Sequence, residues 1–166
     1  MASDATEPTS VFVGIGSNME NPRVQVQRAV RALGGIRETQ VSAVSSLYLS
    51  APFGPVEQPD FVNAVARLTS FLDPRQIFGH LQAIEKSLGR VRNERWGPRV
   101  IDLDLLVHGM TVMHEDDLTV PHPGIAERNF VLLPLQELAP DLEIPGLGRV
   151  ADLAVDENEP RISRLD

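Results

Sequence analysis

The order in which strand-like and helix-like segments follow one another is the feature of this 166-residue chain that most constrains its fold. Residues 22–33 and 74–88 each carry apolar side chains at helical spacing, and Pro22 and Asp73-Pro74 are typical of helix starts. Strand-like segments flank both helices: one begins at residue 9, and the others cover residues 36–49, 61–68 and 100–107. This β-α-β-β-α-β order predicts an α+β, ferredoxin-like fold with a mainly antiparallel sheet.

Less regular segments lie around these elements. G-I-G-S-N at residues 14–18 predicts a tight turn after the first strand, because Gly and Asn tolerate the backbone conformations of turns. A third helix is expected over residues 126–139, with a break or kink near Pro134. The loops at 50–60 and 89–99 are longer than a connection needs, and long loops in compact domains tend to be functional.

Composition and charge narrow the class of protein. We expect one domain over residues 1–166, with frayed ends at 1–9 and 156–166, because both ends are polar and rich in Pro and Glu. The net charge of −8 argues against a broad surface for nucleic acid or anionic membranes. The sequence has no Cys, no apolar run long enough to span a membrane, and no signal-peptide pattern. We therefore expect a cytoplasmic monomer with no nucleic-acid or membrane partner.

Two carboxylates interrupt the most strand-like apolar run, V-I-D-L-D-L-L. Asp102 and Asp104 are two residues apart, so in a strand they share a face while Leu103 and Leu105 point into the core. Two like charges at that separation repel unless a cation lies between them, and Mg²⁺ is commonly held by one or two carboxylates together with substrate phosphates. The alternative is an exposed sheet face on which both acids are merely solvated.

Four arginines precede this run within ten residues: Arg90, Arg92, Arg95 and Arg99. Arginine suits bidentate phosphate recognition, so an arginine loop beside a two-carboxylate metal platform indicates phosphoryl transfer. A solvated basic loop is the alternative. Trp96 in the same loop could seal the site from water or stack on a base; the alternative is that it only packs the loop. The P-loop and protein-kinase motifs are absent from the sequence.

Two long motifs carry a family resemblance. E-R-W-G-P-R-V-I-D-L-D-L-L at 94–106 and L-T-V-P-H-P-G-I-A-E-R-N-F-V-L-L-P-L at 118–135 resemble the 6-hydroxymethyl-7,8-dihydropterin pyrophosphokinases of folate synthesis. The resemblance extends over about residues 11–140. It implies transfer of a pyrophosphoryl group from ATP to the hydroxymethyl oxygen of the pterin, leaving AMP. It also implies a ferredoxin-like α/β/α sandwich and the use of two Mg²⁺ ions.

The resemblance implies roles on the phosphate side of the site. Asp102 and Asp104 would be the metal ligands. The residues implied in catalysis are Arg90, Arg92, Trp96, Arg99, Asp102 and Asp104, with Trp96 helping to close a mobile loop. The residues implied in ATP binding are Arg90, Arg92, Arg99, His122 and Arg128. The residues alone leave two roles open for His122, phosphate ligand or part of a turn, because His122 lies between two prolines.

The resemblance also implies a pterin pocket. Asn63 would hydrogen-bond the ring and Phe130 would stack on it. The residues implied in pterin binding are Ser50, Ala51, Phe53, Phe61, Asn63 and Phe130. Several family members have Thr-Pro in place of Ser50-Ala51 and Tyr in place of Phe61, so pterin affinity is where this chain is expected to differ.

Two other functions are compatible with the residues. In a two-metal phosphohydrolase the carboxylate pair would activate water, and ATP turnover without a pterin would distinguish it. In a non-catalytic ferredoxin-like ligand-binding module the acids would be solvated, and the protein would show no Mg²⁺-dependent affinity for ATP.

Overall fold

In the computed structural model, residues 7–19, 21–52, 54–55, 57–89 and 100–165 are described. The helices within them are α1 (Pro22–Leu33), α2 (Pro74–Ser87) and α3 (Asn129–Leu138). The strands of the main sheet are β1 (Thr9–Ser17), β2 (Thr39–Val44), β3 (Tyr48–Ser50), β4 (Phe61–Ser70), β5 (Asp102–His108) and β10 (Ile162–Arg164). Two short hairpins are formed by β6 (Met113–His114) with β7 (Thr119–Val120) and by β8 (Glu143–Ile144) with β9 (Gly148–Arg149).

The main sheet has the strand order β10-β3-β4-β1-β5, and β2 pairs with the part of β4 that β3 leaves uncovered. Every pairing in it is antiparallel. β1 lies between β4 and β5, and it pairs with β4 from Thr9↔Ser70 to Ser17↔Val62. This order is that of the ferredoxin-like fold, so the predicted fold class is confirmed.

Helices cover both faces of the sheet, as the α/β/α prediction requires. On one face, α1 and α2 pack through Val26, Ala29, Leu33, Ile77 and Leu81 against strand residues that include Val13, Ile15, Ala64, Leu103 and Leu105. On the other face, α3 packs through Val131, Leu132 and Leu135 against Phe12, Val65 and Leu106. Alternate residues of β4, and of β5 up to Leu105, enter the two cores, as the period-two pattern predicted; a register shift then places both Leu106 and Val107 in the second core. Within the described residues no helix combines the length and the apolar character that crossing a membrane requires.

Local chemistry sets the ends of the first two helices as predicted. Pro22 opens α1, where a missing N–H costs nothing. Asp73 caps α2 in a capping box: its carboxylate accepts from the Gln76 N–H, and the Gln76 side chain accepts from the Asp73 N–H. Gly89 follows α2 with φ of 92°, a left-handed conformation that glycine adopts without strain.

Two strand predictions are wrong. Residues 14–17 are not a turn, because β1 continues to Ser17 and its glycines pair with both neighbouring strands. The single strand predicted over 36–49 is two, β2 and β3. Ser45 lies between them, and its hydroxyl accepts from the Val65 N–H at 2.9 Å while its own N–H donates to the Val65 carbonyl. The chain thereby changes course along β4 without leaving a polar group of Val65 unpaired.

Two predictions about the C-terminal third also need correction. The third helix starts at Asn129 rather than 126, because Ile125–Glu127 forms a separate 3-10 turn; Pro134 lies inside α3. The C-terminal segment is not frayed as expected: β10 pairs with β3, and Ile162 is buried. The polar composition of this segment hid the strand, because Ile162 is the one buried residue of β10.

Candidate functional site

A row of paired residues crosses four strands at the end of the sheet where β1 finishes. Asp102 of β5 pairs with Gly16 of β1, Gly16 pairs with Asn63 of β4, and Asn63 pairs with Tyr48 of β3. Residues opposite one another in antiparallel strands project to the same face. Asn63 and Asp102 therefore share a face, with Cα atoms two strand spacings, about 10 Å, apart. Gly16 leaves the floor between them without a side chain.

Asp102 and Asp104 occupy this face as predicted. Both are half-buried, whereas Leu103 and Leu105 point to the opposite side and belong to the core. Asp104 pairs with Gly14, so a second glycine adjoins the second carboxylate. Glu85 of α2 accepts a hydrogen bond from the Leu103 N–H at 2.8 Å, on the edge of β5 away from β1. The Glu85 side chain thus holds the backbone between Asp102 and Asp104 in place.

The donor set at Asp102 and Asp104 fits a hard cation that also binds a ligand. Mg²⁺ takes oxygen ligands and is usually held by one or two carboxylates plus substrate phosphates and water. Within the described residues no group of three or more His, Asp or Glu side chains could enclose a metal by itself.

Asn63 lies in a buried polar cluster with Ser50. Asn63 is 4 % exposed, and its Nδ2 donates to the Ser50 Oγ at 2.7 Å. Its Oδ1 lies only 3.3 Å from the position a Cβ at Gly16 would take. Phe61 is two residues before Asn63 on the same strand face and pairs with Ser50. The structure thus brings together Ser50, Phe61 and Asn63.

The loop after β3 is held against the end of β1. The buried Asn18 donates through Nδ2 to the Gln58 Oε1 and to the Pro59 carbonyl oxygen, both at 2.9 Å. The same loop borders a shallow, open depression on the surface lined by Pro52, Gly54, Pro55, Glu57 and Gln58. Asn18 therefore fixes one end of a wall beside the row of paired residues.

His122 and Arg128 lie together in the turn that leads to α3. The His122 N–H donates to the Leu106 carbonyl oxygen at 2.8 Å, and the His122 Nδ1 accepts from the Gly124 N–H at 3.0 Å. Because Nδ1 accepts, the neutral ring carries its proton on Nε2. A Cβ at Gly124 would lie 2.8 Å from the Arg128 Nε, so the guanidinium packs on the glycine. Burial, and then the positive charge of Arg128, lower the pKa of His122 from 6.5 to about 4.

This lowered pKa predicts an acid-dependent loss of stability. Between pH 6.5 and about pH 4 the unfolded chain binds a proton on His122 that the folded chain does not, so stability falls as the pH falls. Relative to His122→Gln, the wild type should lose about 2–3 kcal/mol of unfolding free energy between pH 7 and pH 4. Urea unfolding of both proteins at the two pH values checks this. Equal losses in the two proteins would contradict it.

Several predicted site residues flank this arrangement or lie outside it. Ala51 follows β3, and its N–H donates to the Arg161 carbonyl oxygen at 2.9 Å. Phe130 is the second residue of α3 and is half-buried against the α3 core. The remaining residues lie outside the described part of the chain: Phe53, Arg90, Arg92, Arg95, Trp96 and Arg99.

Three residues that the sequence did not single out contribute to the site. Gly16 provides the open floor, Asn18 anchors the loop, and Glu85 holds the Leu103 N–H. The available signal was a pair of glycines, Gly14 and Gly16, inside a strand-like run, because a glycine within a strand often marks the close approach of another group. Nothing local to Asn18 or Glu85 indicated their partners, because those partners are far away in sequence.

Comparison with known proteins adds the family. The model of the 7,8-dihydro-6-hydroxymethylpterin-pyrophosphokinase (HPPK) family matches residues 12–140. The chain belongs to this family. The resemblance drawn from the two long motifs is therefore confirmed, and the HPPK match covers every site residue discussed above.

Relatives agree over most of the chain. A 2-amino-4-hydroxy-6-hydroxymethyldihydropteridine pyrophosphokinase of Pseudomonas aeruginosa is 50% identical over 135 residues, 81% of this chain and 83% of the relative. A protein of the same name from Haemophilus influenzae is 37% identical over 157 residues, 95% of this chain and 98% of the relative. In both relatives the aligned region extends well beyond the two motifs at residues 94–106 and 118–135.

Solved structures agree in fold. Wild-type Plasmodium falciparum HPPK-DHPS matches with a TM-score of 0.70 at 14% identity, covering 92% of this chain and 41% of that chain. An HPPK-DHPS in complex with substrates matches with a TM-score of 0.66 at 12% identity, covering 89% and 43%. This chain spans less than half the length of those proteins, and at such identities the likeness shows the fold alone.

Proposed function

We propose that this chain transfers a diphosphoryl group from ATP to 6-hydroxymethyl-7,8-dihydropterin. The hydroxymethyl oxygen attacks the β-phosphorus of ATP and loses its proton. The bond between that phosphorus and the α–β bridging oxygen breaks, so AMP leaves with the bridging oxygen and the pterin carries the diphosphate. Family membership supports the reaction, and the arrangement of described residues supports the assignment of roles.

One observation carries the proposal: Asn63 and Asp102 project from the same face with a glycine between them. A buried amide recognises a ring edge that has both donors and acceptors, as a pterin has. A half-exposed carboxylate pair suits a metal–phosphate complex. A separation of about 10 Å between the two Cα atoms supports the proposal that the pterin and the nucleotide phosphates bind side by side over Gly16.

In this proposal Asp102 and Asp104 would hold two Mg²⁺ ions together with the ATP phosphates. Mg²⁺ bound there would neutralise phosphate charge. The carboxylates of this chain would fix where that charge lies relative to Asn63. Glu85 keeps the strand between them in register through the Leu103 N–H.

His122 and Arg128 are proposed to contact ATP phosphates. With its pKa near 4, His122 is neutral at pH 7, and its Nδ1 is already used by the Gly124 N–H. Its Nε2–H is therefore a fixed donor, which suits a phosphate oxygen. Arg128, packed on Gly124, supplies the positive charge beside that donor. The loop arginines Arg90, Arg92 and Arg99 are proposed to act at the same phosphates.

The pterin pocket is proposed to contain Ser50, Ala51, Phe53, Phe61, Asn63 and Phe130. Ser50 orients the Asn63 amide, since its hydroxyl accepts one of the two Nδ2 protons at 2.7 Å. Phe61 offers an apolar ring edge beside that amide, and Phe130 is proposed to stack on the pterin. A Tyr at position 61 would add a polar contact that this chain lacks.

The decisive experiment incubates the protein with ATP, Mg²⁺ and 6-hydroxymethyl-7,8-dihydropterin, and measures AMP and the diphosphorylated pterin in equal amounts. Omitting the pterin is the control. AMP or ADP release at an undiminished rate without the pterin would indicate a phosphohydrolase, and the absence of any product with all three components would refute the assignment. We further propose that the protein is a monomer that acts in the cytoplasm, and sedimentation tests the oligomeric state.

Gly16→Ala is expected to raise the KM for the pterin about tenfold with the KM for ATP little changed. The new Cβ would lie 3.3 Å from the Asn63 Oδ1, and Asn63 cannot withdraw freely because Ser50 holds its Nδ2 at 2.7 Å. Steady-state kinetics with each substrate varied in turn check this prediction.

Gly79→Ala is the matched control for this substitution. Gly79 lies inside α2, and a Cβ there would meet nothing within 4 Å. It should leave both KM values unchanged and stabilise the protein slightly, because Ala is the better helix former. An unchanged pterin KM in Gly16→Ala would show that the site accommodates the added methyl group, and it would contradict the prediction.

A further inference from the structure

The C-terminal segment, residues 156–165, connects two parts of the chain that flank the proposed pterin pocket. On one side, β10 pairs with β3 so that Ile162 lies opposite Ser50, and the Arg161 carbonyl oxygen accepts from the Ala51 N–H at 2.9 Å. On the other side, Asn129 at the start of α3 binds the same segment. Its Nδ2 donates to the Asp156 carbonyl oxygen at 2.7 Å and to the Pro160 carbonyl oxygen at 2.6 Å.

The Asn129 side chain is buried where it contacts the C-terminal segment. The side chain is 5 % exposed, and both protons of its amide nitrogen are used by the C-terminal segment. Its Oδ1 is buried, and none of the described residues donates to it. The side chain therefore acts through its two donors alone. Asn129 immediately precedes Phe130, the residue proposed to stack on the pterin.

The segment bound by Asn129 is a closed turn. The Ile162 N–H donates to the Glu157 carbonyl oxygen, the Asn158 N–H donates to the Asp156 carboxylate at 2.9 Å, and Asn158 bridges to Arg161. Because the turn is held by its own hydrogen bonds, the two carbonyls that Asn129 binds move with the residues that enter β10. A displacement of Asn129 is thus transmitted to Ser50 and Ala51.

We propose that Asn129 is a positioning residue for pterin binding, and that the C-terminal segment is the strap through which it sets the distance between Phe130 and the Ser50–Ala51 wall. This role rests on the proposed function, because it assigns the strap to the pterin side of that site. The phosphate side has contacts of its own: the Arg128 side chain packs on Gly124, and Asp102 and Asp104 lie on β5, which three strands separate from β10.

The strap acts with a second tie at the other end of α3. Glu137 accepts from the Ser46 N–H at 3.0 Å and from the Tyr48 hydroxyl at 2.8 Å. This tie fixes the C-terminal end of α3 to β3 directly. With that end fixed, the distance at the pocket end is set by the Asn129 contacts.

The test compares Asn129→Ala with Gln136→Ala. Gln136 has the same chemistry on the same helix: its Nε2 donates to the carbonyl oxygens of Val150 and Leu153, at 3.1 and 3.0 Å, upstream of the strap. Loss of either amide should lower the melting temperature to a similar extent. Only Asn129→Ala should also raise the KM and the Kd for the pterin, by about tenfold, with the KM for ATP within about twofold of wild type.

Ile162→Ala provides an independent variant that reaches the strap from its other end. Ile162 is buried and pairs with Ser50. The two hydrogen bonds that the Asn129 amide donates go to other residues of the strap, Asp156 and Pro160. It should shift the pterin KM in the same direction as Asn129→Ala. This variant keeps the proposal testable if Asn129→Ala does not fold.

The outcomes distinguish a failure of the proposed function from a failure of the strap proposal. If the wild type forms no AMP from ATP and the pterin, the proposed function fails. If the wild type is active and Asn129→Ala and Ile162→Ala retain the wild-type pterin KM, or if Gln136→Ala raises it equally, the strap has no positioning role. A rise in pterin KM confined to the two strap variants supports the proposal.

Discussion

Asp102→Asn and Asp104→Asn are each expected to lower diphosphoryl transfer about 10³-fold or more, because each removes one of the two carboxylates proposed to hold the Mg²⁺–phosphate complex. Asn preserves the shape of the side chain but not its charge. Both positions are half-buried on the sheet surface, outside the two apolar cores. The melting temperature should therefore stay within about 4 °C of the wild-type value.

The measurement is the rate of AMP formation at saturating ATP and pterin, over a range of Mg²⁺ concentrations. Asp116→Asn is the matched control, since Asp116 is an exposed carboxylate in the turn between β6 and β7. Its rate should equal that of the wild type. Near-normal AMP formation by either variant of the pair would remove the metal assignment from that residue.

Arg92→Ala is expected to lower kcat by about 10²–10³-fold with little change in ATP affinity, as for a contact that forms near the transition state and is worth about 2–4 kcal/mol. Arg92 belongs to the segment 90–99, which lies outside the described residues. Its described flanks are informative: α2 ends beside Gly89, and the buried Val100 and Ile101 lead directly to Asp102. The residues that follow this segment therefore lead directly into the strand that carries Asp102 and Asp104.

Arg95→Ala is the control within the same segment, because Arg95 follows Glu94 and is expected to be solvated. It should change kcat little. Trp96 is the single tryptophan of the chain, so its fluorescence should report the binding of an ATP analogue together with the pterin. If Arg92→Ala instead weakens ATP binding at unchanged kcat, Arg92 binds the ground state and the proposed role is wrong.

The parts of the fold that could be predicted are those determined by neighbouring residues. Pro22, Asp73 and Gly89 mark helix ends through their own backbone and side-chain chemistry, and the structure confirms all three. The faces of β4 and β5 follow from period-two alternation, which also placed Asp102 and Asp104 on one face. These features need no knowledge of what lies across the sheet.

The parts that could not be predicted depend on partners distant in sequence. Gly14 and Gly16 suggested a turn, but in the sheet their lack of a side chain accommodates Leu106 and Asn63 from the neighbouring strands. β10 has one buried apolar residue, Ile162, and its pairing with β3 joins segments more than 100 residues apart. No local pattern reports a contact of that kind.

The position of β10 in the chain also sets when the site can be completed during synthesis. Ser50 and Asn63 leave the ribosome about 100 residues before Ile162, an interval of roughly 5–20 s at ordinary rates of translation. Throughout that interval β3 has an unpaired edge, which is a template for pairing with other chains. The carboxylates and the glycine floor can already be assembled, whereas the strap cannot. Emergence of residues 156–164 is therefore the event that covers this edge of β3 and links Asn129, through the strap, to the wall beside Ser50.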